Sequence, residues 1–515
     1  MFFKILAHGV RPPADAVGCA FLLTDNWDDW FKYNTLYQLV VFDGDGKRHD
    51  IGGVKIGQFK MDKEQRRPAL PVAFDELGEE FFSLGQDDSY YEDLNNLGDE
   101  ARDFILRGLR DMAFDLDRFQ LAREEGVTGV SLLRSVTPAT VRGQFSRMSR
   151  GGARLSKYRF SYTGPKPRRV AVSPPVFEFE VEPGSNPPTN VHVIIGRNGV
   201  GKTHLLNNMT RAIVDSNART SEVGSFEGDP EDILEDQVFA NIVSVSFSAF
   251  DSFEPLPNRQ NKSEGILYTY VGLKRIDSAD KDRRLVPKSP ARLATEFANS
   301  VLVCRQGARA SRWQRALETL ETDRVFSDAE VVDLANPELD SEDVKGEARR
   351  KFDLLSSGHK IVLLTITRLV ETVEERTLVL LDEPEAHLHP PLLSAFVRAL
   401  SDLLVNRNGV AVIATHSPVV LQEVPMNCCW KIRRIGERSI AERPEVETFG
   451  ENVGILTREV FGLEVTHSGF HKLLTDEVQS GSTFNGIVEK FDNELGGEAR
   501  ALVRALIAAR DANDI

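Results

Sequence analysis

Residues 196–203 read Gly-Arg-Asn-Gly-Val-Gly-Lys-Thr, which matches the spacing G-x-x-x-x-G-K-[ST] at every fixed position. These residue types suit phosphate. Glycines let the backbone turn tightly and aim successive N–H groups at phosphate oxygens, and a following helix adds its positive end. Lys202 can reach the β- and γ-phosphates, and the Thr203 hydroxyl can ligate Mg²⁺. A second chemical pair, Asp382-Glu383, closes the apolar run RTLVLLD at 376–382. One carboxylate there can support Mg²⁺ through water, and the other can polarise a water attacking the γ-phosphate. Together the two sets point to binding and hydrolysis of a nucleoside triphosphate.

Four short β-branched runs must position these groups. Val191–Ile195 leads into the phosphate loop, and His204-Leu205-Leu206 opens the helix behind it. Arg376–Asp382 carries the carboxylates and is expected to lie beside the phosphate-loop strand. Asn241–Phe247 ends on Ser248-Ala249-Phe250-Asp251, and Gly409–Thr415 ends on His416-Ser417-Pro418. Leu355-Ser356-Ser357-Gly358-His359 precedes an apolar helix at about 360–372.

The order of phosphate loop, Leu-Ser-x-Gly, Asp-Glu strand and histidine resembles the ABC-type ATPases, over Gly196 to His416. The resemblance implies two copies meeting head to tail, with each ATP between one copy's phosphate loop and the other's Leu-Ser-x-Gly. It implies that Gly196, Arg197, Asn198, Gly199, Val200, Gly201, Lys202, Thr203 and His204 cradle the nucleotide. Thr203 and Asp382 would hold Mg²⁺, and Glu383, with Lys202 and His416 around the γ-phosphate, would be the catalytic base. Ser356, Ser357 and Gly358 would cap the γ-phosphate from the opposite subunit. The run Asp382-Glu383-Pro384-Glu385-Ala386-His387-Leu388-His389-Pro390 is similar to that of OLD-like and SMC-related ATPases. Stand-alone members of this clade, such as the Septu-type ATPases of anti-phage defence, work with a partner nuclease. Two departures stand out. No glutamine occupies 248–251, so Ser248 or Asp251 would have to replace the usual Mg²⁺ contact. No heptad array separates Thr203 from Leu355, and residues 420–515 hold no Asp-x-Asp of a second, nuclease site.

Composition sets the outer limits. The chain has 515 residues, a formal charge of −15 and four cysteines, two of them adjacent. This fits a multi-domain protein of a reducing compartment, and the cytoplasm is expected. No apolar run approaches the ~20 residues of a membrane helix, so no membrane partner is expected. Between Gly126 and Phe177 there is no Asp or Glu, while arginines from Arg134 to Arg169 interleave with Phe145, Tyr158, Phe160 and Tyr162. A groove of cations and aromatic faces suits a sugar-phosphate strand, so the Arg142–Arg169 stretch is a candidate nucleic-acid contact. It also opens a second functional reading, an SMC-related DNA-repair ATPase that clamps DNA directly.

The expected architecture is α/β: an ABC-ATPase, phosphate-loop NTPase core with a helical insertion, preceded by an α+β N-terminal domain. Boundaries are expected at 1–140 for the N-terminal domain, 141–254 and 351–435 for the two ATPase lobes, 255–350 for the insertion, and 436–515 for the C-terminal segment. In the first part, Asp43-Gly44-Asp45-Gly46 reads as a hairpin turn. Asp99–Arg123 reads as one helix, with Asp99 as N-cap and a stripe of Ile105, Leu109, Met112, Leu116 and Phe119.

Overall fold

The computed structural model describes residues 2–25, 32–61, 64–152, 154–166, 173–229, 238–247, 253–259, 266–275, 287–306, 308–336, 341–435, 438–462 and 469–513. The first 85 residues form a six-stranded sheet. Its strands are β1 (Phe3–Leu6), β2 (Cys19–Thr24), β3 (Leu36–Phe42), β4 (Arg48–Gln58), β5 (Ala73–Phe74) and β6 (Phe81–Gly85). They lie in the order β5-β1-β2-β3-β4-β6, antiparallel except for β1 beside β2. The expected turn closes β3 on β4. Asp43 Oδ1 accepts from Asp45 N and Lys47 N, and Gly46 takes a φ of 77° that favours glycine.

The single helix expected over 99–123 is two, Asp99–Gly108 and Leu116–Ala122, and Gly98 rather than Asp99 is the first N-cap. Tertiary packing breaks the period. Gly108 lies against the Phe3 ring and the Asp75 carbonyl, where a Cβ has no room, and Arg110 turns left-handed at φ 56°. Asp111 then takes over the polar groups of the break. Its Oδ1 accepts from Ala113 N at 2.9 Å and Phe114 N at 3.0 Å, and Oδ2 accepts from the Tyr91 hydroxyl at 3.0 Å. The stripe itself is core: Ile105, Leu109, Met112 and Phe119 are all fully buried.

Burial pushes the Asp111 carboxyl up to about 6, against the hydrogen bonds that favour its ionised form. The native value stands above the unfolded one, so this group's contribution is full below the ordinary carboxylate value and is lost as pH rises through about 6. A shift of about two units corresponds to roughly 3 kcal/mol. Asp111→Asn is therefore expected to flatten the fall in stability between pH 4 and 7, read as the difference in unfolding free energy from wild type. Parallel pH profiles for the two proteins would refute this.

Downstream come β7 (Tyr158–Thr163), β8 (Val176–Val181), β9 (Val191–Gly196), β10 (Ser225–Gly228), β11 (Asn241–Ser246), β12 (Leu267–Gly272), β13 (Thr377–Asp382), β14 (Val410–Thr415), β15 (Cys429–Ile435) and β16 (Arg438–Glu442). Strands β10-β7-β8 make a small antiparallel sheet. The other seven form one sheet in the order β12-β11-β13-β14-β9-β15-β16, parallel but for the last pair. Every residue of β9, β13 and β14 is buried, as a parallel sheet covered on both faces requires. This is an α/β phosphate-loop NTPase fold of the ABC-ATPase type.

Alternate residues of these strands feed two cores. Ile194, Leu380 and Val412 face the small sheet and helix Lys202–Val214. Val193, Leu381 and Ile413 face helices Pro290–Cys304, Ala308–Leu320, Ser357–Thr372 and Pro390–Arg407. The described residues of the insertion pack into the core of the main sheet. Phe297, Trp313 and Phe352 pack in the same cluster as Val362 and Leu363, and the Trp313 indole N–H donates to Thr367 Oγ1 at 3.0 Å. Its start also contributes β12 to the main sheet, an element missed in a polar stretch with no long apolar run. The described part of the C-terminal segment is mostly helical around Leu474, Val478, Ile487 and Val503.

Candidate nucleotide site

The phosphate loop leaves the buried end of β9 through Gly196, where a Cβ would come within 2.5 Å of the Ile432 carbonyl oxygen on β15. Only glycine fits. Gly199 and Gly201 hold φ values of 79° and 100°, with nothing within 4 Å of where a Cβ would stand. There glycine serves the conformation, and the backbone lies open to an approaching ligand. Gly201 caps helix Lys202–Val214 without a side-chain hydrogen bond, so the helix presents its first N–H groups to the loop. Lys202 is buried; its Nζ donates to Gly196 O at 3.0 Å and Arg197 O at 3.2 Å, and stands 3.7 Å from Glu383 Oε1. Asn198 and His204 are exposed on either side of the loop, the His204 ring 5.6 Å from that of Phe253, and Val200 packs against the core below.

One expectation is corrected here. The carboxylate strand β13 does not lie beside β9, because β14 runs between them, with Asp382 opposite Ala414 and Thr415 opposite Ile195. The consequence is that His416, at the end of the intervening strand β14, stands beside the carboxylates. Asp382 is also in register with Ser246 at the end of β11. Thr203, Ser246 and Asp382 line one cavity of about 50 Å³, and the Ser246 hydroxyl is buried with no hydrogen-bond partner among the described residues. Two hydroxyls and a carboxylate at the foot of a phosphate loop are an oxygen set that fits Mg²⁺, which takes few protein ligands and completes its shell with water and phosphate.

Glu383 has a left-handed backbone, φ 46° and ψ 58°, pinned by its N–H donating to Ala414 O at 2.8 Å. For a residue with a Cβ this costs about 1–3 kcal/mol and persists only where the surroundings enforce it. The turn leaves its carboxylate within reach of both Lys202 and His416, whose Nδ1 is 3.8 Å away.

Glu385 was not singled out in the sequence, and it organises this end of the sheet. Its buried Oε1 accepts from Thr415 Oγ1 at 2.6 Å and His416 N at 2.7 Å. His416 Nδ1 also stands 3.1 Å from it, without the alignment of a hydrogen bond. The only signal was a third carboxylate two residues past Glu383; its partners lie 30 and 31 residues downstream. Glu385→Ala is expected to lower nucleotide turnover about 10-fold or more by letting His416 drift. Glu385→Gln, which keeps an acceptor oxygen, should retain most of it. Equal losses in steady-state phosphate release would rule out this positioning role.

The Leu-Ser-x-Gly residues lie elsewhere. Ser356 is the N-cap of helix Ser357–Thr372, Ser357 is exposed on its first turn, and a Cβ on Gly358 would collide with the His387 carbonyl. Thus the structure joins Lys202 to Glu383 as one set, and Ser356 to His359 and Gly358 to His387 as another. Ser248-Ala249-Phe250-Asp251, Arg168 and Arg169 lie outside the described residues.

Among the described residues of 142–169, the aromatic faces expected to line a groove are not exposed. Phe145, Tyr158, Phe160 and Tyr162 are at most 3% exposed, so their faces belong to the core. Arg147 pairs with Glu375 at 2.8 Å, Arg154 with Asp88 at 2.7 Å, and Arg159 with Glu180 at 2.9 Å. Acidic residues absent from the stretch itself are supplied by other segments, which no local charge count can reveal. Among the described residues, no helix is long and apolar enough to cross a membrane.

Three comparisons bear on this geometry. Residues 271–422 match the family described as "AAA domain, putative AbiEii toxin, Type IV TA system". Protein ea59 of Escherichia phage lambda is 41% identical over 530 residues, covering 99% of this chain and 98% of its own length. Among solved structures, an ATP-binding cassette of an ABC transporter in its ADP conformation superposes at 15% identity and TM-score 0.28, over 61% of this chain and all of that one. UvrA2 from Deinococcus radiodurans superposes at 15% identity and TM-score 0.27, over 64% and 43%. The sheet order and loop geometry, rather than these superpositions, define the fold.

Proposed function

This chain belongs to the family of protein ea59 of Escherichia phage lambda, and on that footing we propose that it binds ATP with Mg²⁺, hydrolyses it, and uses the cycle to control a separate effector. The observation that carries the reading is the convergence of three strand ends. Lys202 and Glu383 lie 3.7 Å apart, beside the cavity that Thr203 and Asp382 line together.

Gly199, Gly201 and the first N–H groups of helix Lys202–Val214 cradle the phosphates, and Lys202 exchanges its loop carbonyls for phosphate oxygens. Thr203 and Asp382 hold the metal, with Ser246 within the same cavity. Mg²⁺, when bound, neutralises charge developing on the phosphates. Glu383 takes a proton from water as that water bonds to the γ-phosphorus and the bond to the bridging oxygen breaks, giving ADP and phosphate. His416, held by Glu385, faces the same γ-phosphate. The resemblance to ABC-type ATPases supports closure of the site by a second copy, whose Ser356, Ser357 and Gly358 meet that phosphate. Binding would then favour the dimer and hydrolysis release it, by linkage. The effector is proposed to be a nuclease, from the likeness to Septu-type ATPases and the lack of an Asp-x-Asp nuclease set in residues 420–515.

The test is phosphate release from ATP by the purified chain, with Mg²⁺ and after chelation. Turnover that requires Mg²⁺ is expected; none under either condition would end the proposal. The effector is tested by retention of a co-expressed, gene-neighbouring nuclease. Retention that changes between ATP and ADP is expected, and indifference to nucleotide would remove the control role. Salt-sensitive binding of duplex DNA by the chain alone would instead favour a direct clamp.

A further inference from the structure

The segment between β12 and the Leu-Ser-x-Gly residues places a buried carboxylate behind Ser356. Asp323 caps the short helix Arg324–Asp328, its Oδ1 accepting from Val325 N at 2.9 Å. The same oxygen lies 3.1 Å from His359 Nε2, and His359 Nδ1 lies 2.6 Å from Ser356 Oγ. Asp323 and His359 side chains are only 11% and 8% exposed, whereas Ser356 opens to solvent. Phe326 closes over the imidazole edge-on at 5.0 Å.

A helix cap alone does not require this arrangement. The capping bond from His359 N to Ser356 Oγ is long, at 3.5 Å, while the bond to the imidazole is short. The hydroxyl is drawn to the ring rather than to the helix end. An ionised carboxylate only accepts, so His359 Nε2 carries the hydrogen that faces Asp323 and the neutral ring's tautomer is set. Asp323 Oδ2 also faces His389 Nε2 at 3.7 Å, and His389 caps helix Pro390–Arg407 just past Glu383. One carboxylate thus bonds the His359 imidazole and faces the His389 imidazole, on the two segments that meet at Gly358.

We propose that Asp323 and His359 are positioning residues for Ser356, holding its oxygen where the γ-phosphate of a nucleotide bound by a second copy meets it. The inference rests on the two-copy reading above. The hydrogen bond to Nδ1 sets where the oxygen waits, and the hydroxyl turns its hydrogen from Nδ1 to a phosphate oxygen once one is in range.

Because Ser356 serves the other copy's nucleotide, a defect at Asp323 must act in trans. Asp323→Ala is expected to slow hydrolysis about 10-fold or more while leaving nucleotide affinity of its own loop unchanged. Mixed with Lys202→Ala, which has a disabled loop but an intact Ser356 end, it should hydrolyse ATP well above the sum of the two proteins alone. The control is Ser356→Ala mixed with Lys202→Ala. Rescue in both mixtures supports the proposal. Rescue of Ser356→Ala alone overturns it, leaving Asp323 a structural residue of its own subunit. Rescue in neither mixture overturns the two-copy reading itself. Should Asp323→Ala fail to fold, His359→Asn, which keeps a polar atom near the Nδ1 position, replaces it. It is expected to be rescued in the mixture and to hydrolyse faster than His359→Ala; equal rates would overturn the proposal.

Discussion

Glu383→Gln is expected to slow ATP hydrolysis by about 10²- to 10³-fold while leaving ATP bound. The amide keeps the shape and the hydrogen-bonding oxygen of the carboxylate and loses its capacity to take a proton from water. Its backbone setting should survive, since the φ of 46° is held by the bond to Ala414 O and not by the side chain. Removing the negative charge 3.7 Å from Lys202 leaves the ammonium a better partner for phosphate, so affinity should stay or rise. The measurements are single-turnover phosphate release and equilibrium binding of labelled ATP. Solution mass adds a third reading, because ATP that is not hydrolysed should hold two copies together. A variant that hydrolyses at the wild-type rate would remove Glu383 as the base. One that binds ATP tightly yet keeps the mass of a lone chain would retain the base but discard the dimer.

The largest expected loss of stability lies far from the nucleotide. Arg407 ends helix Pro390–Arg407 fully inside the protein, its Nη1 2.5 Å from Asp88 Oδ1 at the start of helix Asp88–Asn96. Around this pair, Arg312 lies 3.0 Å from Asp87, and Arg154 lies 2.7 Å from Asp88 and 3.3 Å from Glu92. Three guanidinium groups from three stretches of chain face three carboxylates of one stretch, Asp87 to Glu92, and they tie the N-terminal sheet domain to the ATPase core. Burial acts to raise the Asp87 carboxyl, but Arg312 and Arg407 overcome it and hold it well below the usual range. That part of the stability is present above the ordinary carboxylate value and is lost as pH falls below it, in strong acid. Removing one charge leaves its partner buried and alone. Arg407→Met is therefore expected to destabilise by about 3–5 kcal/mol, whereas the double change Arg407→Met with Asp88→Asn should recover part of the loss. Chemical denaturation read by a probe in each domain checks both. A single-variant loss under about 1 kcal/mol would show that the cluster does not hold the two domains together.

The sequence by itself determined the phosphate loop, the carboxylate pair and most of the strands that carry them. The phosphate loop, Asp382-Glu383 and the buried runs around them are local patterns, fixed by spacing and by the period of apolar residues. Val191–Ile195, Asn241–Phe247 and Gly409–Thr415 were legible because a strand covered on both faces must be apolar throughout. Tertiary structure decided what these pieces meet. That β14 separates β9 from β13 depends on sheet order, which no single segment encodes, and it is what brings His416 to Glu383. Glu385, Asp323 and Arg407 carry no local sign of their roles, because their partners stand from 30 to more than 300 residues away. The aromatic run at 145–162 reads as a binding face until the fold covers it. The physical reason is common to all of these cases. Backbone geometry is written within a few residues, but whether a polar or aromatic group is buried, and which charge compensates it, depends on segments brought together only by folding.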